Sequence, residues 1–308
     1  MRAREPDRTG YVVSGEVNLA YEVFGAGATT VLLMPTWTII HSRSWKMQVP
    51  YLARRHRVIS YDGPGNGGSD RPSAAAAYSQ SAQVGHALRV LHATATERAI
   101  IVSLSKAANW ALQLAADHPD RVLGSVFIGP GTLLTPWQPE RAAPREAFDQ
   151  RLSRSDGWWK YNRYYWLHSF EDFARFFFSQ VFTESHSTKP VDDCVDWALE
   201  TTPQVLLTER QHGYPDQGTL LAWCQRVRCP VLVIQGVSDA ISPFERGRAL
   251  ADACRGTLVA LEGSGHAPHL RDPVRVNLLL DDFIRSAASA DRLAARGASR
   301  ATPKGASQ

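Results

Sequence analysis

RAIIVSLSKAANWALQLAADH, residues 98–118, is the stretch around which the rest of the sequence is arranged. Its β-branched and aliphatic run at 99–102 predicts a buried strand, and the apolar spacing at 110–116 predicts a helix. Between them Ser105 lies in a short turn, with the small residues Ser103 and Ala107 on either side. A strand, a tight turn around a serine and a helix form the geometry of a nucleophile elbow. We therefore expect the hydroxyl of Ser105 to project beyond the strand, in front of a helix N-terminus that favours developing negative charge.

The turn around Ser105 departs from the common form G-x-S-x-G, because Ser103 and Ala107 replace the two glycines. Both replacements are small, so a strand and a helix can still approach each other closely there. Many serines follow strands by chance, and the turn alone is therefore a moderately specific signal. The elements on either side of it carry the rest of the argument.

Composition excludes several classes of function. The chain has 308 residues, 44% hydrophobic and 21% charged, and a net charge of +4, which is typical of a globular protein. No basic run is interleaved with aromatic residues, which argues against a nucleic-acid partner. The charged N-terminus has no apolar segment behind it, and no apolar stretch reaches membrane-spanning length. The four cysteines lack metal-type spacing, so we expect no metal site. We expect the cysteines to be reduced thiols in a cytoplasmic protein. We expect no cofactor.

Strand and helix patterns alternate on both sides of a long central segment, which predicts an α/β fold with a mostly parallel central sheet flanked by helices. We assign residues 1–130 and 227–288 to this core, with an antiparallel pair of strands at its start. The predicted strands cover 11–24 as a pair, 29–34, 57–61, 99–102, 121–128, 230–235 and 257–261. The predicted helices cover 44–55, 79–93, 110–116, 243–253 and 274–288.

The segment 131–226 lacks this alternation and holds 17 of the 29 aromatic residues. Its portion 154–182 has helical character and is aromatic nearly all round, which predicts a helical cap packed over something apolar. A bulky apolar small molecule is the expected substrate. The last stretch, 289–308, is rich in Ala, Arg, Ser and Gly and predicts a disordered tail.

Two further residues have the chemistry and the placement to assist a serine. Asp239 lies just past the strand predicted at 230–235, and His266 lies in the loop that follows the strand predicted at 257–261. A serine hydroxyl needs an adjacent base, and an imidazole oriented by a carboxylate is such a base. Two alternatives stay open: Asp239 caps the helix after Ile241 instead, or His269 is the base in place of His266.

The chain order Ser105, Asp239, His266 and the strand-end positions of these residues resemble the α/β-hydrolase superfamily. The loop DGPGNGGS, residues 62–69, is similar to that superfamily's D-x-x-G-x-G-x-S turn, and the likeness covers residues 11–284. Within the superfamily the sequence resembles bacterial serine hydrolases with a helical cap, and also hydrolase-like modules found beside bacterial signalling domains. The resemblance implies the α/β-hydrolase fold and a Ser105-His266-Asp239 catalytic triad.

The resemblance also implies an oxyanion site, and here the sequence departs from the family. The superfamily usually has His-Gly after its third strand, whereas Pro35-Thr36 stands there, followed by Trp37. We expect the backbone N–H groups of Trp37 and Lys106 to bind the oxyanion, with the Thr36 hydroxyl as the alternative donor. His41, in the same loop, is a further candidate for the pocket. The ammonium of Lys106 either faces the pocket, where it would attract an acidic substrate, or extends outwards along the helix.

Three functions stay open at this point. The first is a serine hydrolase for an ester, thioester or lactone of a bulky apolar acid, acting through an acyl-enzyme. The second keeps the triad for other chemistry, such as carbon–carbon bond hydrolysis or a lyase or cyclisation step. The third is a ligand-binding or regulatory module on the same scaffold, since fold alone does not choose the function. We expect a monomer or a homodimer.

Overall fold

The computed structural model describes residues 4–301, with residues 1–3 and 302–308 outside the described part. Eight strands form one sheet in the order β1-β2-β4-β3-β5-β6-β7-β8. The strands are β1 Arg8–Ser14, β2 Val17–Phe24, β3 Thr30–Leu33, β4 Arg57–Tyr61, β5 Ala99–Leu104, β6 Val122–Ile128, β7 Val231–Gly236 and β8 Thr257–Leu261. β2 pairs antiparallel with β1 and β4, and every other pairing is parallel. The predicted fold class, a mostly parallel sheet that begins with an antiparallel pair, is confirmed.

Twelve α-helices accompany the sheet in the described residues. They are α1 Val49–Leu52, α2 Gln80–Ala93, α3 Ala107–Asp117, α4 Pro139–Glu146, α5 Arg163–His168, α6 Phe170–Val181, α7 Thr188–Ala198, α8 Pro203–Arg210, α9 Gln217–Arg226, α10 Phe244–Cys254, α11 Pro268–Arg271 and α12 Pro273–Ala301. The single helix predicted at 44–55 is wrong, because a 3₁₀ turn at Ser42–Trp45 precedes the short α1. Pro50 has no N–H to donate within a longer helix, and it is tolerated here in the first turn of α1.

The central strands are apolar without interruption because both of their faces are covered. Along β5, Ile101 packs into one core with α2, α3 and α10. Its neighbours Ile100 and Val102 pack into a second core with α1 and α12 on the opposite face. Successive side chains of a strand point to opposite faces, so two helical layers require apolar residues at every position of the strand.

Six helices, α4 to α9, lie between β6 and β7, and an aromatic cluster holds most of them together. The cluster contains Tyr161, Trp166, Phe173, Phe177 and Phe178. Their rings meet mainly edge-to-face, as in the pair Tyr161 and Trp166 with centroids 4.9 Å apart. The aromatic excess of the sequence is thus largely explained by a core internal to this insertion.

The helix α9 differs from the rest of the insertion. Its residues Leu220, Trp223 and Cys224 are buried in the main core, in the cluster that contains α3 and β7. The boundary predicted at residue 226 therefore places a core helix inside the cap. We propose that the cap ends before Gln217.

The last helix, α12, continues to Ala301, whereas the sequence predicted a disordered tail from Ser289. Ala and Arg are strong helix formers, so an Ala/Arg-rich composition is compatible with extending the helix. Arg98 also forms a salt bridge with Asp291 in this extension, with Nη1 2.5 Å from Oδ1. The remainder of the predicted tail, 302–308, lies outside the described residues.

Three further observations concern partners and redox state. Within residues 4–301, no helix combines the length and apolarity needed to cross a bilayer. The same part of the chain brings no three metal-ligating side chains together. All four cysteines are free.

Candidate active site

The carboxyl ends of the parallel strands meet at one edge of the sheet, and the predicted site residues follow these ends. Thr36 comes after β3, Ser105 directly after β5, Asp239 after β7 and His266 after β8. Topology thus gathers residues that are up to 230 positions apart in sequence, from 36 to 266. Such an edge is where α/β sheets bind ligands.

Ser105 has the strained backbone expected of the elbow. Its φ is 56°, in the left-handed region that residues with a Cβ rarely adopt. Two hydrogen bonds hold it there: its N–H donates to the carbonyl of Ile128 at 3.0 Å, and Gly131 donates to its carbonyl at 2.8 Å. A Cβ at Gly131 would come 3.0 Å from the Ser105 carbonyl carbon, so any larger residue there would crowd this turn. The neighbouring residues hold Ser105 in this unfavourable conformation, and such support is what allows backbone strain to persist.

Asp239 accepts hydrogen bonds on both carboxylate oxygens. His266 donates from Nδ1 to Oδ2 at 2.8 Å, and the Gln235 amide donates to the same oxygen at 3.0 Å. The backbone N–H groups of Ile241 and Ser242 donate to Oδ1 at 2.7 and 2.8 Å. Asp239 thus holds the imidazole and the turn before α10, but it does not cap that helix, whose N-cap residue is Pro243. Because a carboxylate only accepts, the proton sits on Nδ1 of neutral His266 and Nε2 is left as the basic nitrogen.

The cap holds the backbone of His266, and a glycine makes room for its ring. Its N–H donates to the carbonyl of Val181, the last residue of α6, at 2.9 Å. Gly129, with φ 48°, lies so close that a Cβ there would be 3.0 Å from the Nδ1 of His266. His266 is 4% exposed and lines an apolar cavity together with Ser105, Thr36 and Trp37. No hydrogen bond joins the Ser105 hydroxyl to His266 in this structure; in unliganded sites such bonds often form only with substrate present.

The alternative base, His269, lacks the partners that a catalytic imidazole needs. It is completely buried beside Trp45, with ring centroids 4.9 Å apart, and neither ring nitrogen has a hydrogen-bond partner among the described residues. Burial, with a smaller contribution from the nearby His266, lowers the pKa of His269 to about 3. Its geometry favours a neutral packing residue in the wall of the apolar cavity.

The loop after β3 shows which groups are free to bind an oxyanion. The hydroxyl of Thr36 donates to the carbonyl of Leu104 at 2.7 Å, so this donor is already engaged. The backbone N–H groups of Trp37 and Lys106 have no hydrogen-bond acceptor in the described part of the chain. Both groups are therefore available to an acceptor, and both residues line a cavity that contains Ser105.

His41 does not belong to this site. It is buried between two carboxylates, with Nδ1 3.9 Å from Asp62 and Nε2 3.4 Å from Glu200. It lines a different cavity, beside the β1–β2 hairpin, and neither of the cavities that contain Ser105. The candidate role of His41 in the pocket is therefore wrong, because the loop after β3 places it beside Asp62 and Glu200 in this other cavity.

Lys106 faces a second cavity at Ser105, under the cap. Its ammonium lies 2.8 Å from the carboxylate of Glu209 in α8, which is fully buried. Burial lowers the pKa of Lys106, but Glu209 outweighs this effect and raises the pKa above its usual value. The other oxygen of Glu209 accepts from the backbone N–H of Thr38 at 3.3 Å. One carboxylate of the cap thus contacts both loops that flank Ser105.

The sequence analysis missed Glu209 and the arginines of this second cavity. Arg141, Arg145 and Arg210 line it together with Lys106 and Ser105. The four-residue spacing of Arg141 and Arg145 at the start of the insertion was the available signal, since residues so spaced share a helix face. The position of Glu209 beside Lys106, 103 residues away, had no local signal.

Comparison with known proteins agrees with this fold. The family model described as alpha/beta hydrolase fold matches residues 29–273, so the chain belongs to the alpha/beta hydrolase family. The chain is 29% identical over 269 residues to the "Putative carbamate hydrolase RutD" of Variovorax paradoxus, covering 86% of this chain and 96% of that protein. It is 28% identical over 254 residues to a 2-hydroxymuconate semialdehyde hydrolase of Pseudomonas sp., covering 80% of this chain and 83% of that protein.

Solved structures share the whole fold. A bromoperoxidase from Bacillus anthracis superposes with a TM-score of 0.75 at 21% identity, covering 90% of this chain and all of the other. At this identity the likeness concerns the fold alone. Family membership and the hydrolase-named relatives together place the protein among the hydrolases.

Proposed function

We propose that the protein is a serine hydrolase that cleaves an ester, thioester or lactone through the triad Ser105, His266 and Asp239. The observation that carries the proposal is the 2.8 Å Asp239–His266 hydrogen bond in the same cavity as a strained serine. Nε2 of His266 accepts the proton of the Ser105 hydroxyl as the oxygen attacks the acyl carbon. The imidazolium, stabilised by Asp239, then returns that proton to the leaving group.

The remaining steps follow from the same geometry. An acyl-enzyme ester on Ser105 forms when the leaving group departs, and water activated by His266 hydrolyses it to release the acid. The backbone N–H groups of Trp37 and Lys106 stabilise the oxyanion of both tetrahedral intermediates. Losing one such donor costs about 3 kcal/mol in the transition state, so both matter for the rate.

The apolar cavity supports an apolar portion in the substrate. Besides Ser105, Thr36, Cys194 and two histidines it is lined by aliphatic and aromatic side chains, among them Ile39, Phe178 and Leu270. We place the apolar portion of the substrate there, in keeping with the apolar substrate expected from the sequence. An oligomeric state of one or two chains and a cytoplasmic location remain predictions.

The test compares two serine variants two positions apart. Ser105→Ala should lower kcat for short 4-nitrophenyl esters by about 10⁴- to 10⁶-fold, because the members of a triad act as a unit. Ser103→Ala is the matched control: its buried hydroxyl donates to the carbonyl of Val126 at 3.1 Å and lies outside both cavities at Ser105. It should retain activity. Turnover in Ser105→Ala above roughly a tenth of wild type would exclude the assignment.

A second candidate is hydrolysis of a carbon–carbon bond next to a carbonyl group. The similarity to a 2-hydroxymuconate semialdehyde hydrolase over 80% of the chain favours it. Labelling by a fluorophosphonate together with rapid turnover of acyl esters supports the ester reaction. Labelling without ester turnover supports the second candidate, and absence of labelling supports a binding module instead.

A further inference from the structure

The cavity under the cap carries an excess of positive charge. Lys106, Arg141, Arg145 and Arg210 line it beside Ser105, and the lining includes no carboxylate. Glu209 lies behind Lys106 and is the ion-pair partner of that side chain. Within residues 4–301, no carboxylate lies within ion-pair distance of the three arginines. The wall facing the nucleophile therefore has three cations without a counter-ion.

Burial makes this arrangement unusual. Arg141 is 3% exposed, and Nε of both Arg141 and Arg145 is buried without a hydrogen-bond partner. Arg141 donates to the carbonyl of Ile241, and Arg145 donates to the hydroxyl of Tyr161 at 3.0 Å. Buried charges in proteins are normally paired, because an uncompensated one is strongly destabilising.

The two arginines also repel each other. They lie four residues apart on α4, and like charges at this spacing destabilise a helix. Burial is the main cause that lowers the pKa of Arg141, and the charge of Arg145 lowers it further. Burial would raise the pKa of Tyr214, yet Arg145, Lys106 and Arg141 lower it below its usual value. The cavity thus has a strongly positive potential.

Aromatic rings hold the guanidinium groups in place. Arg145 stacks on Trp137 at 3.7 Å and Arg141 on Trp158 at 4.4 Å, while Arg210 stacks on Phe148 at 3.9 Å. Stacking fixes the planes of the groups but leaves their net charge in place. Fixed guanidinium forks without a carboxylate are pre-organised for a planar anion.

We propose that this cavity binds a carboxylate of the substrate, so that the enzyme acts on acyl compounds that carry a second, unreacting carboxylate. The inference rests on the proposed function and adds the substrate class. The apolar cavity and the cationic cavity both contain Ser105, so the scissile carbonyl sits between an apolar and an anionic part.

The kinetic test uses a pair of isosteric esters. 4-Nitrophenyl hydrogen adipate has a free carboxylate, and in 4-nitrophenyl 6-methylheptanoate an isopropyl group replaces it. Wild type should prefer the acidic ester in kcat/KM by about 10- to 100-fold, the range for a hydrogen bond to a charged group. Arg145→Gln and Arg210→Gln should remove most of this preference by raising KM for the acidic ester much more than KM for the neutral ester.

The control is Arg175→Gln, an exposed cap arginine paired with Glu171 and Asp192. It should keep the full preference. Arg145 and Arg210 are chosen because they are less buried than Arg141, whose loss would also remove the contact with Ile241. An equal or greater kcat/KM for the neutral ester in wild type would overturn the proposal, as would an unchanged preference in both arginine variants.

A binding measurement separates this proposal from the proposed function. Calorimetry of Ser105→Ala with adipate should show binding that Ser105→Ala/Arg145→Gln loses and Ser105→Ala/Arg175→Gln keeps. If neither ester shows Ser105-dependent turnover but adipate still binds in this way, the carboxylate site stands and the hydrolase proposal fails. If the esters are hydrolysed but adipate does not bind, or inorganic phosphate binds in its place, the carboxylate site is overturned.

Discussion

At the scale of single residues, Thr36 stands where the family usually has a glycine, and its hydroxyl makes a hydrogen bond that a glycine could not make. Because this hydroxyl donates to the carbonyl of Leu104 at 2.7 Å, it anchors the loop after β3 to the residue before Ser105. Thr36→Val keeps the shape of the side chain and removes the donor. The free energy of unfolding should fall by about 1–3 kcal/mol, the cost of a buried unsatisfied group.

Activity decides between the two roles of Thr36. In Thr36→Val, kcat should fall by much less than 10²-fold, the scale for losing an oxyanion donor, and Thr36→Ser should behave as wild type. Denaturant unfolding and ester kinetics on the same preparations provide both measurements. A loss of kcat of about 10²-fold at unchanged stability would make the hydroxyl itself an oxyanion donor.

His269 predicts a pH dependence of stability rather than of activity. Its pKa in the folded chain, about 3, lies below the usual value of 6.5. The unfolded chain therefore binds the proton first, and stability is lost as the pH falls from about 6.5 towards 3. His269→Leu should remove about 2 kcal/mol of the loss seen between pH 7 and pH 5. An identical pH dependence in the variant would contradict the neutral, buried imidazole.

At the scale of elements, one ion pair ties the cap to the elbow. Glu209 in α8 is fully buried, and its partner Lys106 directly follows Ser105. Breaking a buried pair on one side leaves an uncompensated charge, so Glu209→Gln and Lys106→Met should each destabilise the protein by about 3–5 kcal/mol. The double variant should be less destabilised than the sum of the two. Additive losses in chemical denaturation would show that the two side chains do not interact.

The packing of α9 predicts which cap deletion folds. Removing 139–211 with a Gly/Ser bridge keeps Leu220, Trp223 and Cys224, which belong to the main core. That protein should unfold cooperatively. Removing 132–224 also deletes this core surface and should give an insoluble or molten product. Gel filtration and thermal unfolding compare the two, and equal behaviour would show that α9 is dispensable.

At the scale of the whole molecule, the sequence predicted those features that a short stretch of residues specifies by itself. Ser105, Asp239 and His266 each follow an apolar strand, and parallel topology brings all strand ends to one edge. Which helix packs where depends on contacts distant in sequence, and for this reason α9 was assigned to the cap. The aromatic excess was correctly linked to an insertion, but most of these rings contact one another.

The charge of the site was the least predictable property. Arg141 and Arg145 lie on α4 and Arg210 on α8, and only the fold brings them together beside Ser105. The fold also places no carboxylate in the lining of that cavity. An estimate of substrate chemistry from composition alone therefore indicated an apolar ligand. Pairing in three dimensions decides whether a charged residue is a solvated surface group or part of a binding site.

The central claim is that Ser105 is the nucleophile activated by His266. Intact-protein mass spectrometry after treatment with a fluorophosphonate tests it most directly. Wild type and Ser103→Ala should each gain one adduct, mapped by peptide digestion to Ser105, while Ser105→Ala gains none and His266→Ala reacts far more slowly. An adduct that persists in Ser105→Ala, or wild type that remains unlabelled, would contradict the account.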